Sequence, residues 1–312
     1  MLRLKKQHKN LLFGKNKIKE TGLLEARPFS LPNGFANQPE QDSLEYNAFC
    51  QYLEKSCGIT LGDNKKYLVK NRLRPIFEAH NVQSLSEALH KIQVGNDQTL
   101  NLQVIDAMTT NETSWFRDQY PFEYLAEKLL PDLLGKRMST PKIWSAACSY
   151  GHEAYSISMI IDEFIAKNPG AFPSDIQIVG TDISSRVLKK AQTAEYDNIS
   201  MARRLSDDRK ARYFTQINSN TYRLNKKIKN RTRFQYLNLL ESFTGLGKFD
   251  IIFCRNVLIY FSNENKTAIM DKFARCLNKD GVLILGASET VSNYSNAFNM
   301  VKCPRGVVYQ HV

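Results

Sequence analysis

Near residue 131 the apolar residues of this chain change their period, and that switch constrains the fold more than any other feature. Before it, from Leu44 to about residue 110, apolar residues recur at helical spacing. Leu44, Phe49, Leu53 and Cys57 fall near one helical face, and Leu68, Leu73, Ile76 and Phe77 repeat the pattern. Beyond Pro131 short apolar runs alternate with helical stretches, the signature of a parallel sheet with helices on its faces. The spacing predicts strands at 142–147, 175–182, 233–239, 248–256 and 281–288, with helices at 152–168, 184–196 and 263–277. Residues 212–232 alternate polar and apolar around Asn218-Ser219-Asn220 and read as a small β insert. Two final strand-like runs flank Pro304-Arg305-Gly306, which predicts an antiparallel hairpin at a sheet edge. The expected architecture is α/β: a Rossmann-like sheet over 135–312 with a β insert, preceded by an all-α domain over 43–110 and a connector over 111–134.

Composition narrows the class. Hydrophobic residues at 42% and charged residues at 24% are ordinary for a soluble folded chain, and no apolar run approaches the roughly 18 residues of a membrane span. The basic first residues hold only Leu11-Leu12-Phe13 as an apolar cluster, too short for a secretory core, and the expected location is the cytoplasm. Six cysteines without a C-x-x-C pair, and five widely spaced histidines, signal neither a disulfide scaffold nor a metal site. The net charge of +12 favours an acidic partner. Residues 1–40 hold eight basic and three acidic residues, so five of those charges sit in a stretch (1–42) that reads as a disordered basic tail and linker.

In an open α/β sheet, ligands bind beyond the carboxyl ends of the strands. The run Ser145-Ala146-Ala147-Cys148-Ser149-Tyr150-Gly151-His152-Glu153 offers a tight turn at Gly151 and a carboxylate, Glu153, which disfavours phosphate and suits an ammonium or hydroxyls. Asp182 ends the second strand, where an acidic residue accepts ribose hydroxyls or caps the next helix. Asn238 and Leu239 follow the third strand, where an amide could read an adenine edge and a leucine cover its face. Arg255-Asn256 interrupts an apolar stretch running to Tyr260-Phe261, and two such residues are costly to bury unless something receives them. In the connector, Asn111 and Thr113 are placed to cap a helix whose first turn holds Trp115, Phe116 and Arg117, or to form a lid whose Arg117 meets a carboxylate. His152 is read as decoration of a helix start rather than a base.

Taken together these segments resemble the chemotaxis-receptor glutamate O-methyltransferases, the CheR family, from about residue 44 to 311. The resemblance is carried by Thr109-Thr110-Asn111-Glu112-Thr113 with Phe116-Arg117, by 143–149, by Gly180-Thr181-Asp182-Ile183-Ser184, by 253–261 and by Leu285-Gly286-Ala287-Ser288-Glu289. It implies an S-adenosylmethionine-binding sheet of methyltransferase type, which the reversed closing hairpin also distinguishes from ordinary dinucleotide-binding sheets. It further implies that Asn111, Thr113, Arg117, Glu153, Asp182, Asn238, Leu239, Arg255 and Asn256 contact the cofactor, with S-adenosylhomocysteine as product. Glu153 suits the methionyl ammonium, Asp182 the ribose and Asn238 the adenine, while Arg117 meets the cofactor or substrate carboxylate; Tyr260, Arg117 and Arg255 are the candidates for orienting the incoming carboxylate, with packing as the plainer reading of Tyr260. The chain departs from the family's usual loop S-T-G-E-E-P-Y at Tyr150, His152 and Ala154 but keeps Gly151 and Glu153.

The implied partners are acidic cytoplasmic helices of membrane chemoreceptors, for which Lys65, Lys66, Lys70, Arg72 and Arg74 offer a basic helix; a solvated face is the plainer reading of the same residues. The insert lacks a glycine-rich extension, which argues against docking on a receptor's tail peptide. A monomer without metal or nucleic acid is expected. Two alternatives stand beside this reading: a cofactor-binding signalling module without turnover, suggested by the loop departures, and a nucleic-acid methyltransferase recruited by the basic tail. The latter lacks the D/N-P-P-Y/F type of loop after the fourth strand, where Arg255-Asn256-Val257-Leu258 stands instead.

Overall fold

The structure, a computed structural model, describes residues 39–136, 140–172 and 175–312. The predicted tail over 1–38 lies outside the described residues, and the first helix begins at Pro39, inside the stretch read as linker.

Four helices form the first layer: α1 (Pro39–Cys57), α2 (Lys66–His80), α3 (Leu85–Gln93) and α4 (Gln98–Met108). Ser84 and Asp97 cap α3 and α4 by accepting from the backbone of Glu87 and Leu100. Their shared core holds Phe49, Leu53, Cys57, Leu73, Leu100 and Val104. Leu44, expected on the inner face of α1, is instead 69% exposed, and Tyr46 takes the buried position.

The connector corrects the expected cap. Residues 111–119 are not helical, and three of them, Phe116, Asp118 and Gln119, have positive φ. Helix begins only at α5 (Tyr120–Tyr124) and continues through a π-turn into α6 (Leu130–Gly135). Asn111 and Thr113 therefore cap nothing; Trp115 and Phe116 still anchor the segment, both buried in the core of the sheet domain.

That domain runs β1 (Lys142–Ala146), α7 (His152–Lys167), β2 (Gln177–Asp182), α8 (Ser185–Thr193), β3 (Glu195–Asp197), α9 (Asn198–Met201), α10 (Asp207–Tyr213), β4 (Phe214–Asn218), β5 (Thr221–Leu224), α11 (Lys226–Asn230) and β6 (Thr232–Tyr236). It closes with β7 (Phe249–Cys254), α12 (Asn263–Cys276), β8 (Leu277–Leu285), β9 (Phe298–Cys303) and β10 (Gly306–His311). Seven strands make one sheet in the order β6-β2-β1-β7-β8-β10-β9. The first five are parallel, and β10 enters antiparallel between β8 and the edge strand β9, as the closing hairpin predicted. Strand order reverses at β1, so its end and those of β2, β6 and β7 open onto one crevice.

The insert is larger than expected. Residues 195–197, of which the sequence assigned the first two to the end of a helix, leave α8 at Ala194, where φ is +57°, and pair with β5 to complete a three-stranded antiparallel sheet, β3-β5-β4. Three residues are too few for any period to declare them.

Candidate functional site

The ends of β1, β2, β6 and β7 meet the connector and the end of α1 around a cavity of about 1000 Å³, counting its open mouth. From the sheet come Glu153, Asp182, Asn238, Leu239, Arg255, Asn256 and Tyr260, and from the connector Asn111, Thr113 and Arg117. All ten residues singled out there by the sequence thus line one cavity. Cys57, Ile59 and Met108 of the helical layer line it too, a contribution that no motif announced.

The loop after β1 has an unusual backbone. Ala147, Ser149 and Gly151 all have positive φ, so successive peptide groups turn sharply between strand and helix. At Gly151 a Cβ would lie 3.0 Å from Ala191 Cβ and 3.1 Å from Phe234 Cζ, which leaves no space for a side chain. Asp182 braces this loop: Oδ2 accepts from Ser149 N at 2.8 Å and Oδ1 from Ser184 N at 2.9 Å. Asp182 is 6% exposed, and burial raises its pKa against the opposing pull of those N–H donors. The helix cap at this point is Ser184, which accepts from Val187 N, so Asp182 keeps its remaining lone pairs for the cavity it lines.

Arg255 departs from expectation. Its side chain is 2% exposed; Nη1 donates to Glu153 Oε2 at 2.9 Å, and Nη2 donates to Asp118 Oδ2 at 2.8 Å and to the Arg117 carbonyl at 2.7 Å. With both terminal nitrogens so engaged, the guanidinium does not present a fork to an incoming carboxylate; it ties the connector to the sheet. Ser145 Oγ donates to Glu153 Oε1 at 2.8 Å, so Glu153 is oriented from both oxygens. Asp118, which completes this charged cluster, was not singled out by the sequence.

Asn238 is partly committed as well. Its Nδ2 donates to the Ser56 carbonyl at 2.7 Å and its Oδ1 accepts from Leu240 N at 3.0 Å, leaving one N–H and one lone pair. Asn256 is the opposite case: the residue lines the cavity, and its Oδ1 is buried without a partner. Arg117 gives Nη1 to the Glu112 carbonyl and is half-buried, while the Tyr260 carbonyl accepts from both Thr60 N and Thr60 Oγ1 at 2.9 Å. His152 stands outside the cavity lining. It packs edge-on against Trp115 and Tyr196, and burial, helped by Arg203, pushes its pKa down to about 3.

The basic residues of α2 lie elsewhere. Lys65, Lys66, Lys70 and Arg74 are exposed. Arg72 is withdrawn from that face, because Nη1 donates to the carbonyls of Ala107, Met108 and Thr109 and so closes the end of α4.

Comparison with known proteins accounts for this assembly. Residues 44–109 match the family model described as CheR methyltransferase, all-alpha domain, and residues 111–307 the one described as CheR methyltransferase, SAM binding domain. The chemotaxis protein methyltransferase Cher2 of Pseudomonas putida is 46% identical over 272 residues, 86% of this chain and 98% of its own length. Chemotaxis protein methyltransferase 1 of Vibrio cholerae is 45% identical over 266 residues, 85% of this chain and 96% of its own. The cavity suits the cofactor those matches imply. Asp182 offers acceptors for hydroxyls, the unpartnered Asn256 Oδ1 and Glu153 offer acceptors for an ammonium, and Leu239 and Ile59 offer apolar surface for a base. The chain belongs to the CheR methyltransferase family and is an S-adenosylmethionine-dependent methyltransferase.

Proposed function

We propose that this enzyme methylates glutamate side chains of chemoreceptors, forming methyl esters at the cytoplasmic face of the membrane. The observation that favours the reading is a cavity whose lining, among the described residues, holds no histidine or lysine: its carboxylates Glu153 and Asp182 are engaged by hydrogen bonds and Glu112 by Arg203, and His152 is buried outside the lining with its pKa pushed down to about 3. A nucleophile that must lose a proton would need a base there. A glutamate, with a reference pKa of about 4.3, is already ionised at neutral pH and needs none.

Bound S-adenosylmethionine supplies an electrophilic methyl on a sulfonium, so that ester and S-adenosylhomocysteine form with no net proton transfer. Glu153 and Asn256 would hold the ammonium, Asp182 would accept from the ribose hydroxyls, and Leu239 and the remaining N–H of Asn238 would receive the adenine. Asn111 and Thr113 close the cavity from the connector. Arg117, whose Nη2 and Nε have no partner that competes within the cluster just described, orients the substrate carboxylate together with the Tyr260 hydroxyl. Arg255 acts through Glu153 and Asp118 and is a positioning residue. Holding carboxylate and methyl in line supplies most of the acceleration, as positioning generally does. Lys65, Lys66, Lys70 and Arg74 receive the acidic receptor helix.

The test is transfer of labelled methyl from S-adenosylmethionine to receptor-containing membranes, scored as volatile label released by alkali. Release is expected with the wild type and a loss of at least tenfold with Asp182→Ala. Cofactor binding without release from any receptor source would instead favour a module without turnover.

A further inference from the structure

The loop that follows β7 carries Asn256 and Tyr260 into the cavity, yet Arg255–Val257 belong to no strand or helix, and a single 3-10 turn begins at Leu258. Its backbone N–H groups need partners from elsewhere. One side chain provides them. Glu289 Oε2 accepts from Asn256 N at 2.7 Å and from Gly286 N at 2.8 Å; Oε1 accepts from Val257 N at 2.9 Å and from Leu258 N at 2.8 Å. Glu289 is 8% exposed and does not line the cavity. A buried carboxylate is costly unless hydrogen-bonded, and four N–H donors occupy the lone pairs of both oxygens.

The surrounding geometry depends on this arrangement. Asn256 sits at φ +57°, in the left-handed region that asparagine tolerates better than most side chains. A Cβ on Gly286 would lie 2.7 Å from both Asn256 Nδ2 and Glu289 Oε2, so the glycine lets the two loops touch. Asn256 Nδ2 is thereby turned toward Gly286, and Oδ1 of this cavity-lining residue is left buried without a partner.

We propose that Glu289 is a positioning residue of the methyl-transfer site: by gathering the N–H groups of residues 256–258 and 286 it fixes the loop that presents Asn256 and Tyr260 to the cofactor. This rests on the reading of the cavity as the cofactor site. Glu289→Gln tests it with little change of volume. Whichever oxygen becomes an amide nitrogen then faces two backbone N–H donors with nothing to accept them, and the loop must move.

The experiment is calorimetric titration of the full chain with S-adenosylhomocysteine, which needs no receptor. Wild type, Glu289→Gln and Ile269→Val are compared at a temperature where circular dichroism shows all three folded; Ile269 is buried in α12 and lines no part of the cavity. The expected result is a Kd raised at least tenfold by Glu289→Gln and within twofold of wild type for Ile269→Val, whatever their melting temperatures. KM for S-adenosylmethionine should rise in parallel where a methyl acceptor is available. If Glu289→Gln does not fold, Gly286→Ala, whose new Cβ presses on the same atoms, replaces it with the same expectation. A rise smaller than tenfold, or an equal rise in Ile269→Val, overturns the proposal, because the effect would then follow general stability. A wild type that does not bind S-adenosylhomocysteine would refute the reading of the cavity and this proposal with it.

Discussion

His152 follows the cavity loop and precedes Glu153, yet its ring sits 4.5 Å from that of Trp115 and 4.9 Å from that of Tyr196, in a cluster that also holds Phe214. Desolvation first, then the positive charge of Arg203, pushes its pKa down to about 3, whereas in the unfolded chain it should be near 6.5. Between those values the unfolded state binds a proton that the native state refuses, so stability is fully present above pH 6.5 and falls as the pH drops. Acidification from pH 7 to pH 5 should cost about 2 kcal/mol through this one group. His152→Phe, which keeps an aromatic ring in the cluster, should remove that slope; urea unfolding at both pH values checks it, and equal slopes in the two proteins would show that His152 is protonated in the fold. Local chemistry made residues such as Asp182 and Glu153 legible, because strand ends in this architecture are where ligands bind. The roles of Arg255 and Asn238 were not legible. Arg255 meets Asp118 from 137 residues away and Asn238 meets Ser56 from 182 away, pairings that no local pattern encodes.

At the scale of elements, the seven strands of the main sheet and the longer helices declared themselves through their period; what escaped was short or irregular: β3 with three residues, the helices α9, α10 and α11 around the insert, and the non-helical turns of 115–119. Arg117, with Ala147, Cys148 and Ser149 of the loop after β1, reaches the cavity wall from such irregular backbone, so that backbone deserves a direct test. Gly151 and Gly170 have nearly equal φ, +82° and +79°, but a Cβ at Gly170 meets nothing within 4 Å while one at Gly151 meets Ala191, Phe234 and Tyr155. Gly170→Ala should therefore cost only the left-handed backbone penalty, about 1 kcal/mol, and leave S-adenosylhomocysteine binding unchanged. Gly151→Ala should cost about 2 kcal/mol or more and weaken that binding, since the 147–151 loop carries Ser149 toward Asp182 and leads into Glu153. Urea midpoints and calorimetry on the two variants separate conformational strain from crowding. Equal costs would mean that the loop gives way, and that its shape is not imposed by α8 and β6.

Across the whole molecule the helical layer and the sheet share the cavity: Ser56 and Thr60, at and just after the end of α1, bond to Asn238 and Tyr260, and Cys57 and Ile59 line the wall between them. On the proposed reading the helical layer, joined so closely to the cavity, delivers an acidic helix to it. Lys66, Lys70 and Arg74 follow one another at a spacing of four and run along one side of α2, with Lys65 just before it. Lys66 donates to Ser43 Oγ and lies over the Tyr46 ring, and Arg74 meets Glu78 only at 3.8 Å with both side chains largely exposed, so the stripe presents net positive charge to solvent. Attraction between such a stripe and an acidic helix is screened over about 10 Å at 0.1 M salt. Replacing Lys65, Lys66, Lys70 and Arg74 by glutamine should then raise KM for receptor membranes at least tenfold at low ionic strength and leave the affinity for S-adenosylhomocysteine unchanged. The wild type should lose activity steeply between about 50 and 300 mM salt, and the variant should lose little, because the charges that salt screens are already gone. Arg72→Gln belongs to a different class: it leaves three carbonyls at the end of α4 without their donor and should lower stability instead of changing the salt dependence. Identical salt curves for wild type and quadruple variant would place the receptor contact on another surface.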